Sequence, residues 1–168
     1  VNGTGGDTNA SGFNYISWNW KAGGAPTATN SASAGDVPTS GSIMIDGSAS
    51  TSALPGTIAA SQISANTKSK FSIVKWAGNA TSGATIAHGL GVAPEMIIVH
   101  TFSGTNNADR PVYHYIRGNS TAGNASGTAA WSGASAGFWN NTTPSNTVFT
   151  VGNDQNTNKS GSVYVAYC

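Results

Sequence analysis

Three histidines, His88, His100 and His114, with Asp109 close by in the chain, come nearest to a metal-ligand set. Imidazole nitrogens with a carboxylate suit a divalent transition ion. Their spacing follows no short ligand motif, however, and each histidine is flanked by sheet-forming residues. Hydrogen-bonded or half-exposed strand histidines are therefore expected, and no metal or cofactor is assigned. Glycoside hydrolysis needs two carboxylates at a workable separation, and acyl transfer needs a nucleophile on a sharp turn. Glu95 is the sole glutamate, and Asp7, Asp36, Asp46, Asp109 and Asp154 fall in turn-like settings, where Asp commonly bonds backbone. No Gly-x-Ser-x-Gly elbow occurs. Gly89-Leu-Gly91 begins like a dinucleotide loop, but neither a third glycine nor a following helix completes it. No catalytic residue is expected, and the chain is read as non-enzymatic.

The aromatic residues offer a different chemistry. An indole face stacks on the C–H face of a sugar while neighbouring amides fix its hydroxyls. Trp131 and Trp139 sit in a Gly/Ser/Asn-rich stretch with Asn140 and Asn141, and these four are the candidate carbohydrate- or receptor-contact residues. Trp76 lies in a dense apolar run and is assigned to the core. The many Asn-x-Ser/Thr sequons, at Asn79, Asn119 and Asn124 among others, are read as compositional.

Short strands must position these residues. Phe13-Asn-Tyr-Ile-Ser-Trp-Asn-Trp20 reads as a strand with Ile16, Trp18 and Trp20 on one face. Ala22 to Gly41 has no apolar periodicity and reads as a linker or extended arm. Ile43 to Asp46 and, more weakly, Gly56 to Ile63 follow as strands. The core is expected to begin near Lys70, with strands at Phe71–Trp76, Thr85–His88, Met96–Phe102, Pro111–Arg117, Thr147–Val151 and Ser162–Tyr167. Met96 to Phe102 is apolar on both faces, as in a central strand buried on both sides. Shorter pieces are expected at Ala129–Trp131 and Phe138–Trp139, with no helical period anywhere. Strands at this spacing, joined by Gly/Asn/Ser turns, predict an all-β fold: an antiparallel β-sandwich or barrel-like domain with an extended, low-charge N-terminal arm. The expected division is 1–66 for the arm and linker and 67–168 for the core domain.

Charge narrows the partners. Lys and Arg number 7 and Asp and Glu 6 among 168 residues, so charged residues make up 8%, about a third of the usual share. Nucleic-acid binding needs clustered cations. The small cluster Lys68, Lys70 and Lys75 reads as a solvated strand edge instead. No stretch approaches the roughly 20 apolar residues of a spanning helix, so membrane insertion is not expected. Cys168 is the sole cysteine, which excludes an intrachain disulfide. The chain opens on Val1, and a processed or partial precursor is expected. So neutral a chain suits a dense assembly, in which charges would be costly to bury. A homo-oligomer, trimer or polymer, is expected. Tyr15, Trp18, Trp20, Ile43 and Ile45 are its self-association candidates, donating arms or strands to neighbours.

Several sequence words carry a family likeness. Phe71-Ser-Ile-Val-Lys-Trp-Ala-Gly-Asn79, Ala87-His-Gly-Leu-Gly-Val-Ala-Pro94, Glu95-Met-Ile-Ile-Val-His100, Trp139-Asn-Asn-Thr142, Val148-Phe-Thr-Val-Gly152 and Tyr164-Val-Ala-Tyr-Cys168 are the main ones, with a weaker echo at Ile16-Ser-Trp-Asn-Trp-Lys-Ala-Gly23. Together they resemble the C-terminal β-rich domain of marine phage tail-fibre and other virion-surface proteins, chiefly over residues 71–168. The resemblance implies a structural or adhesive module on a virion surface or outside the cell: a tail fibre, or a capsid-surface fibre or decoration protein. It also implies a host surface glycan or receptor as partner, with segment 117–147 facing outward. It brings no catalytic residues. Two other readings fit the composition, a secreted carbohydrate-binding module and a self-polymerising extracellular filament subunit.

Overall fold

The computed structural model describes residues 11–104, 109–133 and 135–168. Ten strands form among the described residues: β1 (Ile43–Ile45), β2 (Ser48–Ala49), β3 (Gln62–Asn66), β4 (Phe71–Ala77), β5 (Ala84–Ala87), β6 (Met96–Ser103), β7 (Pro111–His114), β8 (Gly118–Asn124), β9 (Val148–Val151) and β10 (Val163–Tyr167). A single 3-10 turn (Tyr115–Arg117) and a five-residue helix α1 (Ser135–Trp139) complete the described elements. The fold is nearly all-β, as the sequence predicts.

Eight strands make one sheet in the order β2-β1-β3-β4-β10-β6-β7-β8, and β5 pairs with β9 as a second layer. The pairings are antiparallel except β1 with β3, which run parallel with Ile43 opposite Ile63. That pairing makes the sheet mixed. Gly56 and Ile58 bridge to Ile86 and extend the second layer over the sheet.

Alternation places every second side chain between the layers. Ile63, Val74, Trp76, Val99 and Tyr164 point inward from the large sheet and are fully buried, with Ile86, Phe149 and Val151 meeting them from the small one. Trp76 joins the layers: its ring lies edge-on to Phe149 at 5.5 Å and stacks on Tyr164 at 5.5 Å.

Several expectations need correction. The boundary expected after residue 66 falls within the β3–β4 hairpin, where Asn66 pairs with Phe71. Residues 43–66 supply three strands of the same sheet and join its core. Ile43, expected at a subunit contact, is fully buried, and Ile45 packs against that core. Residues 13–20 belong to no strand, and no strand among the described residues pairs with them. Lys75 lies on β4, between β3 and β10, and is not at an edge. Phe138 and Trp139 fall in a helix, not a strand. Beyond His114 the chain turns into the 3-10 segment, where strand had been expected up to Arg117. Segment 117–147, expected as an outward loop region, contains edge strand β8 and helix α1.

Candidate functional site

The outer face of the large sheet carries the site. Phe71, Ile73 and Lys75 of β4 point away from the small layer. Register sets Tyr167 of β10 between Ile73 and Ile98, and Val165 between Lys75 and His100. Met96 and Phe102 extend the face along β6, both with much of their surface exposed. Lys75 reaches over the Phe102 ring, 4.1 Å from its centroid, so its ammonium lies on an aromatic surface. The strand expected to be buried on both sides, β6, is therefore covered on one side only.

Two adjoining grooves cross this face. One, of about 660 Å³, runs over Ile73, Lys75, Val165 and Phe102 beneath Ala22 and Gly24–Pro26. The other, of about 960 Å³, is floored by Phe71, Met96, Ile98 and Tyr167 and flanked by Val92, Pro94, Trp18 and Trp20.

The chain that walls both grooves is its own arm, held by few but specific bonds. Ser69 Oγ donates to the Lys21 carbonyl (2.7 Å), Ser64 Oγ to that of Gly24 (2.6 Å) and Gln62 Nε2 to that of Ala28 (3.0 Å). The Gly47 N–H donates to the Gly23 carbonyl at 2.7 Å. Gly23 lies so close to β3 that an added Cβ would collide with the Ala65 carbonyl. Only glycine permits this approach. Trp20 then stacks on Phe71, with centroids 5.6 Å apart and planes 21° apart. Upstream of that stack the arm is open: Trp18 is 75% exposed, Ile16 82% and Phe13 72%, and Tyr15 is also exposed.

The four residues expected to contact a sugar do not form one platform. Trp139 is only 1% exposed and packs edge-on to Tyr113 at 6.1 Å, so it belongs to the core. Helix α1 turns it inward, which a strand-like reading of Phe138-Trp139 could not show. Trp131 is half-buried, its ring laid on Gly123 of β8, with Arg117 over it at 5.9 Å and His114 edge-on at 6.5 Å. Asn140 instead accepts a hydrogen bond from Ser82 Oγ (2.9 Å), and Asn141 is exposed. Both asparagines hold left-handed backbone, φ 51° and 50°, and serve the turn after α1.

The histidines are scattered. His88 is fully buried: its Nδ1 accepts from the Leu90 N–H (3.2 Å), and Nε2 lies 3.2 Å from the Ser145 carbonyl. This pair of partners requires the neutral Nε2–H tautomer. Burial lowers its pKa from the ordinary value, only partly offset by the Ser145 carbonyl. His100 lies on the outer face beside Val165, and His114 caps the 3-10 turn by accepting from the Ile116 N–H (3.3 Å). Asp109 accepts from Asn124 Nδ2 at 2.7 Å. Among the described residues no three His, Cys, Asp or Glu side chains gather around a common point. The pKa of the Cys168 thiol, a half-buried group beside the larger groove, is pushed up to about 12 by burial. A thiol at that value is a poor nucleophile at neutral pH.

Sequence reasoning missed a polar knot at the end of the sandwich. Buried Asn158 donates from Nδ2 to Asn79 Oδ1 (3.1 Å) and to the carbonyls of Thr81 (2.9 Å) and Gly152 (3.0 Å). Its Oδ1 accepts from the Asn79 N–H at 2.9 Å. Such satisfied burial is costly to disturb. In a chain so rich in Asn, nothing in the sequence marks this one out.

A mixed eight-stranded sheet closed on one face and left partly exposed and apolar on the other defines a β-rich module. The chain belongs to the family described as Domain of unknown function (DUF7483), whose pattern matches residues 44–168. Neither a curated protein nor a solved structure matches it. The family match begins within β1, so β1 to β3 belong with the strands that follow, and most of the arm lies outside it.

Proposed function

We propose that this chain is a non-enzymatic structural module of a phage-like virion surface, a tail-fibre or capsid-decoration element that self-associates through its outer sheet face. The apolar outer face is the observation that carries the self-association. Large exposed apolar patches on soluble domains mark interaction surfaces, and here Met96, Ile98, Tyr167 and Phe102 lie beside an arm that adds four aromatic residues. The low charge of the chain supports the same reading, since a buried interface tolerates few unpaired charges. The virion setting rests on the sequence words at 71–79, 87–100 and 164–168. Their likeness to phage surface domains ranks a fibre or decoration element above an extracellular filament. The sugar-binding alternative is weaker with Trp139 in the core and the Trp131 ring already occupied by Gly123 and Arg117.

Native mass spectrometry of the full chain tests the reading. A discrete trimer or other closed oligomer supports a fibre or decoration module, and an open-ended series moves the assignment to a filament. A monomer at micromolar concentration would overturn self-association.

A further inference from the structure

We infer that the aromatic arm of one copy seats in the outer-face groove of a second copy, so that neighbouring subunits are joined arm to groove. This rests on the self-association reading and names the two surfaces that meet. In an extended chain, Ile16, Trp18 and Trp20 share one face. Trp20 is seated on Phe71, yet Trp18 and Ile16 are 75% and 82% exposed. Upstream of Trp20, Trp18 borders the larger groove with most of its surface open, and Ile16 presents the rest of that face outward.

The larger groove has the matching chemistry. Trp18 and Trp20 already form part of its wall, so indole against this apolar floor is a packing the molecule itself displays. Lys70 and Glu95 supply one charge of each sign at the groove, and residues 11–20 carry none. An acidic or basic ligand gains little there. An uncharged aromatic segment loses nothing.

Area supports a second copy as the occupant. At 150–250 Å² per aromatic side chain, the exposed fractions of Trp18 and Trp20 leave on the order of 300 Å² open on that face, and Ile16 adds to it. That supplies part of the roughly 800 Å² per partner of a standard interface. The groove rim supplies further area. Residues 13–16 lie outside the groove lining, so arm tip and groove are different surfaces and the contact is heterologous. It either closes into a ring or reciprocal pair, or runs on as a filament.

The test uses complementary variants of the full chain in sedimentation velocity and native mass spectrometry. Ile16→Asp charges the arm's exposed face at a residue outside the groove lining, and Met96→Glu charges the groove. Tyr167→Ser serves as a second groove variant if Met96→Glu alters the circular dichroism spectrum. Each variant alone is expected to be monomeric where the parent assembles. An equimolar mixture should form a 1:1 heterodimer, because one intact arm and one intact groove remain between the two. Full assembly by the arm variant would overturn arm exchange while leaving self-association standing. Monomeric variants that fail to pair would also overturn it. A monomeric parent would sink both readings.

Discussion

The inner and outer faces of the large sheet are built by alternate residues of the same strands, Val74 against Ile73, Val99 against Ile98 and Tyr164 against Tyr167. Inward residues are sealed by β5 and β9, and Val74, Val99 and Tyr164 have no exposed surface. Outward residues meet only the thin cover of residues 20–28, and Tyr167 stays 41% exposed. Near-equal apolarity with unequal burial shows that composition alone did not decide which face closed. Connectivity did: the second layer has two strands and lies on one side. At about 25 cal/mol per Å² of apolar surface removed from water, the inner face has already given its stabilisation to folding. The outer face keeps part of its apolar surface in water, at Met96, Phe102 and Tyr167 above all.

The sharpest way to break this comparison is at Trp76. Truncation to Ala removes the ring between Phe149 and Tyr164 and is expected to cost about 3–5 kcal/mol. That is a large share of the 5–15 kcal/mol that holds a domain folded, and urea unfolding reads it. Next is Asn158→Ala. It deletes an Nδ2 whose two hydrogens are shared among three acceptors, and an Oδ1 that accepts one bond, in a buried site, for an expected loss of about 2–3 kcal/mol. A loss under about 1 kcal/mol would mean that water replaces the amide, and that this end of the sandwich is looser than its inner face.

Much of this architecture was legible in the sequence, because β4, β6, β9 and β10 are runs of β-branched and aromatic residues. Edge strand β8 was not. Gly118-Asn-Ser-Thr-Ala-Gly-Asn124 has no strand signature and is extended because β7 pairs with it, and because Trp131 needs a residue without Cβ at Gly123. Tertiary pairing overrides propensity at such places. The parallel β1–β3 pair was hidden for a related reason: a partner brought back by a crossover leaves no mark in local alternation. The aromatic arm was legible as a segment outside the core, although it was expected to be a strand. The groove it faces was not, because the double-sided apolarity of Met96–Phe102 reads equally as a buried central strand.

A smaller effect comes from pH and tests the closed layer. The folded state holds His88 neutral, with its pKa below the ordinary 6.5. Below that value the unfolded chain binds a proton that the folded one resists, so stability falls as acid is added. His88 contributes in full above about pH 6.5 and progressively less as pH drops toward its folded-state pKa. His88→Gln should flatten the slope of unfolding free energy against pH between 6.5 and 5, and an unchanged slope would assign the dependence to other groups.

The smallest change in stability is expected at Tyr167, and its contrast with Tyr164 sharpens the two-face picture. The Tyr164 hydroxyl donates to the Gln155 carbonyl (2.7 Å) and accepts from the Lys159 N–H (2.8 Å), while its ring stacks on Trp76. Tyr164→Ser loses all three interactions and leaves a cavity, at about 3–5 kcal/mol. Tyr167, three residues on along β10, gives up only a partly exposed ring. Tyr167→Ser should cost under about 1 kcal/mol when measured on dilute monomer. At concentrations where subunits associate, the ranking should invert: Tyr164→Ser copies that remain folded keep the groove, and Tyr167→Ser copies lose part of its floor. Chemical unfolding at two protein concentrations separates the cases. Equal losses for both tyrosines in the monomer would mean that the outer face is already closed within one chain.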